Sequence, residues 1–263
     1  MLLREDDSGV LAIGQPSHAW LSGQLARAWG NQRFGQVKPR EEVCLAADQH
    51  DVGWDARDLE PLYDPETRLA RSFMAMPLDM HLELFTGGPR RMLSQSRYAA
   101  LLVSMHGFRL YARRNLDRVA PSDADAIRAF LEAQRHFQSQ ILAWLRADPR
   151  SAPVASDEVV ERNSLLIWTW DYLSLGLCLD WAPATAKGCP TSGAAVDLEL
   201  TAGSEPGQLQ LDPWPFATPT LTVHCEGRRL HQRYDSQAAL RAALAQAPWE
   251  TLEFQLSPAA RES

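Results

Sequence analysis

Four of the seven histidines and two of the aspartates in this chain, His18, His50, Asp51, His81, His106 and Asp171, have the types and settings to act together as ligands. Imidazole nitrogen and carboxylate oxygen both bind Zn, Fe or Mn. The densest point is Ala46-Ala47-Asp48-Gln49-His50-Asp51-Val52-Gly53-Trp54-Asp55, where an apolar run ends in an adjacent His-Asp pair and then a glycine that lets the chain turn away. Taken alone, such a pair reads more simply as a capping aspartate beside an exposed histidine. Asp171 is less easily explained. It is the single carboxylate in Leu165-Leu166-Ile167-Trp168-Thr169-Trp170-Asp171-Tyr172-Leu173-Ser174-Leu175. A carboxylate buried in such a run must be paired, hydrogen-bonded or metal-bound. Arg162, the nearest base on the same stretch, lies more than about two helical turns away. The partner is therefore a metal or an arginine from elsewhere in the fold.

Periodicity supplies the elements that position these groups. Gln15-Pro16-Ser17 opens a helix with Ser17 as its cap, His18 shares a face with Leu21 and Leu25, and Gly30-Asn31 ends it. Pro39-Arg40-Glu41-Glu42 begins a second helix, whose stripe Val43, Ala47, His50, Trp54 turns His50 inward. An irregular Asp-, Pro- and Arg-rich loop runs to about Ser72, and a short helix from Pro77 to Phe85 carries His81. The nearly apolar segment Tyr98 to His106 puts His106 at the inner end of a buried helix. Arg109 and Arg113 follow at i+3 and i+7, where they present charge beside a site or form a solvated face. Ser122 caps a long amphipathic helix to about Leu145, on which His136 is exposed, and a further helix from Asp157 to Leu179 holds Asp171.

Composition changes after Trp181. Val196 to Leu200, Gln208 to Leu211, Leu221 to Cys225 and Thr251 to Leu256 alternate as strands, with a short helix from Ser236 to Ala247 between them. Asp212-Pro213-Trp214-Pro215-Phe216 is a stiff aromatic loop that either covers the site or packs two parts of the molecule together. His224 and His231 have no partner by spacing. The expected fold is therefore mainly α: a helical metal-binding body over residues 1–185, and a small α+β extension over 186–263 with an antiparallel sheet packed on it.

With 263 residues, 45 % of them hydrophobic, the chain can bury a substantial core. A net charge of −7 gives no broad basic footprint, which argues against nucleic acid as the main partner. Cys44, Cys178, Cys189 and Cys225 are far apart and lack C-x-x-C spacing, so neither a zinc knuckle nor a disulfide framework is indicated. The acidic start and the absence of a run of roughly 18 apolar residues predict a cytoplasmic protein with no membrane partner. The oligomeric state is left open.

The order H…HD…H…H…D across residues 15 to 180 resembles the HD-domain superfamily of metal-dependent enzymes. That resemblance implies an HD-domain-like helical bundle in which His18, His50, Asp51 and Asp171 hold one divalent ion and His81 and His106 complete a second site. It implies two ions of Fe, Mn or Zn, with Asp51 as the catalytic carboxylate. The local sequences Gln-Pro-Ser-His-Ala-Trp-Leu-Ser-Gly, His-Asp-Val-Gly-Trp-Asp, Leu-Leu-Val-Ser-Met-His and Asp-Tyr-Leu-Ser-Leu also resemble an uncharacterised family, a domain of unknown function, over nearly the whole chain. That second resemblance implies no activity.

One departure bears on the substrate. Many dinuclear HD-domain members carry HD-x-G-K, whose lysine contacts phosphate, and here the corresponding residue is Trp54. An indole cannot replace an ammonium, and Asp55 beside it repels an anion. Positive charge would then come from Arg71, Arg90, Arg97, Arg109 or Arg113. The expected substrate contacts are Trp54, Asp55, Arg109 and Arg113, with Trp20 and Trp29 able to dry the pocket and Asp48, Asp55 and Glu83 equal candidates for a general acid. The expected function is a metal-dependent phosphohydrolase acting on a small phosphorylated molecule or nucleotide. A diiron oxygenase of a polyol or phosphonate, resembling myo-inositol oxygenase, would use the same ligand set. A non-catalytic helical binding or scaffold module would instead keep the histidines as hydrogen-bonded core residues.

Overall fold

The computed structural model describes residues 1–259. Its helices are α1 (Gln15–Ala28), α2 (Arg40–Asp48), α3 (Asp55–Leu59), α4 (Leu78–Met92), α5 (Arg97–Ala112), α6 (Pro121–Ala147), α7 (Asp157–Cys178) and α8 (Gln237–Gln246). Its strands are β1 (Leu2–Asp6), β2 (Gly9–Ile13), β3 (Tyr63–Asp64), β4 (Leu69–Ala70), β5 (Ala184–Cys189), β6 (Val196–Ala202), β7 (Gln208–Asp212), β8 (Leu221–Leu230) and β9 (Trp249–Pro258). Strands β3 and β4 pair by themselves, and the other seven form one curled sheet in the order β1-β2-β8-β9-β7-β6-β5.

This architecture corrects the mainly α expectation of an HD-domain-like bundle with a small antiparallel extension: about half of the chain is helical, and the seven-stranded sheet is mixed. The difference begins at the N-terminus. Val10, Leu11, Ala12 and Ile13 are all buried, and a short apolar strand of that kind needs neighbours on both edges to satisfy its backbone. It finds β1 on one side and β8 on the other, with Ile13 opposite Gly227. Farther across the sheet β7 runs parallel to β9, with Leu209 opposite Leu256. Residues 1–13 thus share one sheet with strands from 184–258.

Helix α1 is fixed along β8 by side chains on its outer face. The Ser17 hydroxyl donates to the Glu226 carbonyl at 2.7 Å and accepts from its N–H at 3.0 Å. The Gln24 amide makes the same pair of bonds to the backbone of His224, at 2.7 and 3.1 Å. Ser17 therefore clips the helix to the sheet, while Gly14 is the residue at the N-cap. The opposite face of α1 packs on α2 and α7, through a core that includes Leu21, Leu25, Val43, Leu166 and Trp170. The aromatic loop at 212–216 packs behind α1: Phe216 meets the Trp29 ring edge-on, and Asn31 bonds the Trp214 carbonyl.

Candidate metal centre

Five of the six expected ligands come together where α1, α5, α7 and the turn after α2 meet. His18 faces inward from α1, His106 from α5 and Asp171 from α7. His50 and Asp51 stand past the end of α2, which stops at Asp48. Val52–Trp54 then form a single 3-10 turn before α3. The helix expected to run through His50 breaks because Gly53 must lie directly on α4. A Cβ at that position would sit 2.3 Å from the Leu84 carbonyl oxygen, so only glycine lets the turn dock there.

The donor atoms fall into two overlapping groups, His18–His50–Asp51 and His50–His106–Asp171, each with its ligand atoms within 4.8 Å of one another. His18 Nε2 lies 3.0 Å and His50 Nε2 3.8 Å from Asp51 Oδ2. His50 Nε2 is 3.2 Å from Asp171 Oδ1, and His106 Nε2 is 4.0 Å from Asp171 Oδ2. Ligands held at about 2.1 Å from one ion stand about 3 to 4 Å apart, so these spacings fit a metal.

The surrounding groups fix which nitrogen each histidine presents. His50 Nδ1–H donates to the Ala47 carbonyl at 2.9 Å. His18 Nδ1–H donates to Ser174 Oγ at 2.9 Å, while that hydroxyl donates to the Asp171 carbonyl and accepts from Ser22. Both rings thereby commit Nδ1 to a neighbouring oxygen and turn Nε2 to the centre, the arrangement that orients metal ligands.

Charge and hydrogen bonding leave this cluster incomplete. Asp51 and Asp171 contact only histidines among the described residues, with no arginine or lysine on either. Asp51 Oδ1, His50 Nε2 and His106 Nδ1 are buried without a hydrogen-bond partner, the 3.2 Å approach of His50 to Asp171 not being directed as one. Burial would push His50 down, but the charges of Asp51 and Asp171 overcome it and raise the imidazole to about 9. Burial would likewise raise Asp51 and Asp171, and the neighbouring histidines hold both below the usual carboxylate range. His106 is pushed down to about 4 by burial. A divalent cation would replace the His50 proton between the two carboxylates and give His50 Nε2 a partner.

His81 stands apart from both groups. Its Nδ1 accepts from the Tyr111 hydroxyl, and its ring meets Trp54 and Phe85 edge-on at 5.2 and 4.8 Å between centroids. Burial lowers it to about 4, so it is a neutral imidazole on the wall of the site.

A family model described as "Protein of unknown function (DUF3891)" matches residues 1–232. The chain belongs to this family. No curated protein and no solved structure matches it. The family match also corrects the resemblance to the HD-domain superfamily: no HD-domain family is matched. Six residues of only two types, in order along the chain, make a sparse pattern, which unrelated helical chains can reach.

In this DUF3891 chain the cluster opens into a cavity of about 330 Å³. Phe73, Met74 and Met76, from the loop before α4, form its lip, and Gln15, Tyr111 and Arg114 complete its polar wall. The residues expected to bind substrate lie elsewhere. Trp54 is buried behind His81, and Asp55 is exposed and pairs with Arg91 at 2.6 Å. Arg109 bonds Glu161 and Ser164, while Arg113 lies over the Trp168 ring at 4.6 Å. Trp29 is in the core and Trp20 stacks edge-on with His224. Asp48 pairs with Arg27, and Glu83 is exposed. Arg71, Arg90 and Arg97 do not line the cavity either. Gln15 is noted in the sequence only as a helix start, and neither Tyr111 nor Arg114 stands out there. The available signal for Arg114 was the recurrence of His106, Leu110 and Arg114 at every fourth residue, and all three face the cavity. Among the described residues no helix is long and apolar enough to cross a membrane.

Proposed function

We propose that this protein is a metal-dependent hydrolase of a small phosphorylated molecule, with His18, His50, Asp51 and Asp171 as ligands and His106 beside them. The observation that carries the reading is the pair of buried carboxylates with no arginine or lysine on them, ringed by histidines whose Nε2 atoms are turned inward. A hydrogen-bonded scaffold would satisfy a buried carboxylate on both oxygens, whereas Asp51 Oδ1 and the neighbouring His50 Nε2 have no partner. His50 has only Nε2 free, because Nδ1 is committed to Ala47. The two donor groups therefore share one nitrogen and describe the surroundings of one ion, drawn from Fe, Mn or Zn. When bound, such an ion acidifies a coordinated water and polarises a phosphoryl oxygen. The protein's own part is to orient and to move protons. Ser174 holds the His18 ring, and Asp51 Oδ1, without a protein partner, is placed to accept a proton from the attacking water. Phe73, Met74 and Met76 add an apolar edge against which a substrate's non-phosphate part can pack.

The test is to load the purified protein with Mn(II), Fe(II) or Zn(II), measure metal content, and assay phosphate release from phosphomonoesters and nucleotides. We expect about one ion per chain and metal-dependent phosphate release, both lost in Asp171→Ala and both kept in His224→Ala. A protein that retains no stoichiometric metal, or one that consumes O₂ with a polyol and releases no phosphate, overturns the reading.

A further inference from the structure

The residue that follows His50-Asp51-Val52-Gly53 is the buried Trp54, and the arginines expected to supply positive charge to the site are engaged elsewhere or lie outside the cavity. Arg109 is bonded to Glu161 and Ser164, Arg97 to Asp148, and Arg90 and Arg113 cover the rings of Phe137 and Trp168. Arg114 differs from all of these. It comes just after α5 ends at Ala112, lines the cavity, and has its guanidinium 4.7 Å from the centroid of Tyr111. Among the described residues no carboxylate lies within 4.0 Å of it, and no other arginine or lysine lines the cavity. Tyr111 in turn bonds His81, so the cation is braced on the wall that faces the metal ligands.

The electrostatics follow from this placement. With a divalent ion bound, the charges of Asp51 and Asp171 are cancelled and the histidine ligands are neutral. Arg114 is then the group that gives the cavity a net positive charge. A second, independent feature points to a ligand in the same space: Gln15 is 2 % exposed, lines the cavity, and has an amide oxygen with no partner. A buried acceptor left unpaired gains a bond when a ligand brings a donor to it.

We propose that Arg114 is the specificity-determining residue of this site: it selects a phosphomonoester by binding its phosphoryl oxygens opposite the metal, while Gln15 accepts a hydroxyl of the same substrate. This deepens the hydrolase reading and rests on the metal site proposed there. An arginine fork offers two parallel donors to a phosphoryl group, which a lysine cannot.

The probe is inorganic phosphate, titrated calorimetrically into the Mn(II)-loaded protein, with metal content measured on each variant. Arg114→Ala is expected to weaken phosphate binding about ten- to a hundredfold at unchanged metal content. Arg114→Lys should recover part of the loss, and Arg113→Ala, one residue away and outside the cavity, should bind phosphate like the parent. Equal binding by Arg114→Ala, an equal loss in Arg113→Ala, or no phosphate binding by the loaded protein overturns the proposal. Phosphate binding that depends on Arg114, in a protein that cleaves no ester, supports this inference and removes the hydrolase reading. Ester cleavage with an unchanged KM in Arg114→Ala removes this inference and leaves the hydrolase reading standing.

Discussion

At the scale of single residues, the proposed metal centre would depend as much on groups that do not touch an ion as on the residues that could ligate it. Ser174 Oγ accepts from His18 Nδ1–H and from Ser22, and donates to the Asp171 carbonyl. One hydroxyl thereby sets the tautomer of a ligand and ties α1 to α7. Ser174→Ala is expected to lower metal affinity about 10- to 100-fold, with a stability loss of about 1–3 kcal/mol from the unpaired His18 Nδ1. Competition with a metallochromic chelator and denaturant melts of the metal-free protein read the two effects separately, and an affinity equal to the parent's would show that Ser174 does not orient His18. Asp171→Ala should remove the metal while barely lowering the melting temperature of the metal-free protein, because repulsion from Asp51 is relieved and His50 keeps Asp51 as its counter-charge. A large loss of metal-free stability would instead make Asp171 a structural ion-pair member. Asp171 was conspicuous in the sequence because a lone acid in an apolar run demands a partner. Arg114 was not, because nothing local says that α5 ends before it or that Tyr111 will brace it.

At the scale of elements, the candidate ligands are placed by close contacts between helices and turns that a one-dimensional pattern cannot show. The stripe Val43, Ala47, His50, Trp54 has helical spacing, yet α2 stops at Asp48 and His50 is delivered by a turn. The cause is tertiary: Gly53 lies against Leu84 of α4, where a Cβ would approach the carbonyl oxygen to 2.3 Å. The helices carrying His18, His106 and Asp171 were legible because apolar positions recur along them. His81, on an equally legible helix, is drawn aside by Tyr111 and Trp54. Gly53→Ala should therefore push the 52–54 turn off α4 and destabilise the protein by about 1–3 kcal/mol or more, the range for overpacking. The denaturant midpoint of the metal-free protein is the measurement, and an unchanged midpoint would show that the turn does not depend on this contact.

At the scale of the whole molecule, the sheet joins the two ends of the chain, and this was the least legible feature. Leu2–Asp6 carries Arg4, Glu5 and Asp6 in place of a clean alternation, and Ala184–Cys189 contains Lys187 and Gly188, so neither strand is conspicuous by composition. Each forms a hairpin with the strand next to it in sequence, β1 with β2 and β5 with β6, but β2 then pairs with β8, far off in sequence, and only the assembled sheet explains why Ile13 is buried opposite Gly227. The union is secured by Arg229 on β8, which is 7 % exposed and forks twice: to both oxygens of Asp6 at 2.9 and 2.8 Å, and to both of Glu250 on β9 at 2.9 and 2.7 Å. Bonds from Ser8, then from Arg229, hold the Asp6 carboxyl down at about 2, and Arg229 also lowers Glu250. A carboxylate whose folded pKa lies below its unfolded one stabilises the fold fully above about pH 4 and loses that contribution as pH falls toward the folded value. Arg229→Leu should thus lower the melting temperature at pH 7, and its gap from the parent should close as pH falls from about 5 to about 2. A gap that stays constant over that range would mean that Arg229 holds the strands by packing alone and that its two carboxylate partners contribute nothing to joining the ends of the chain.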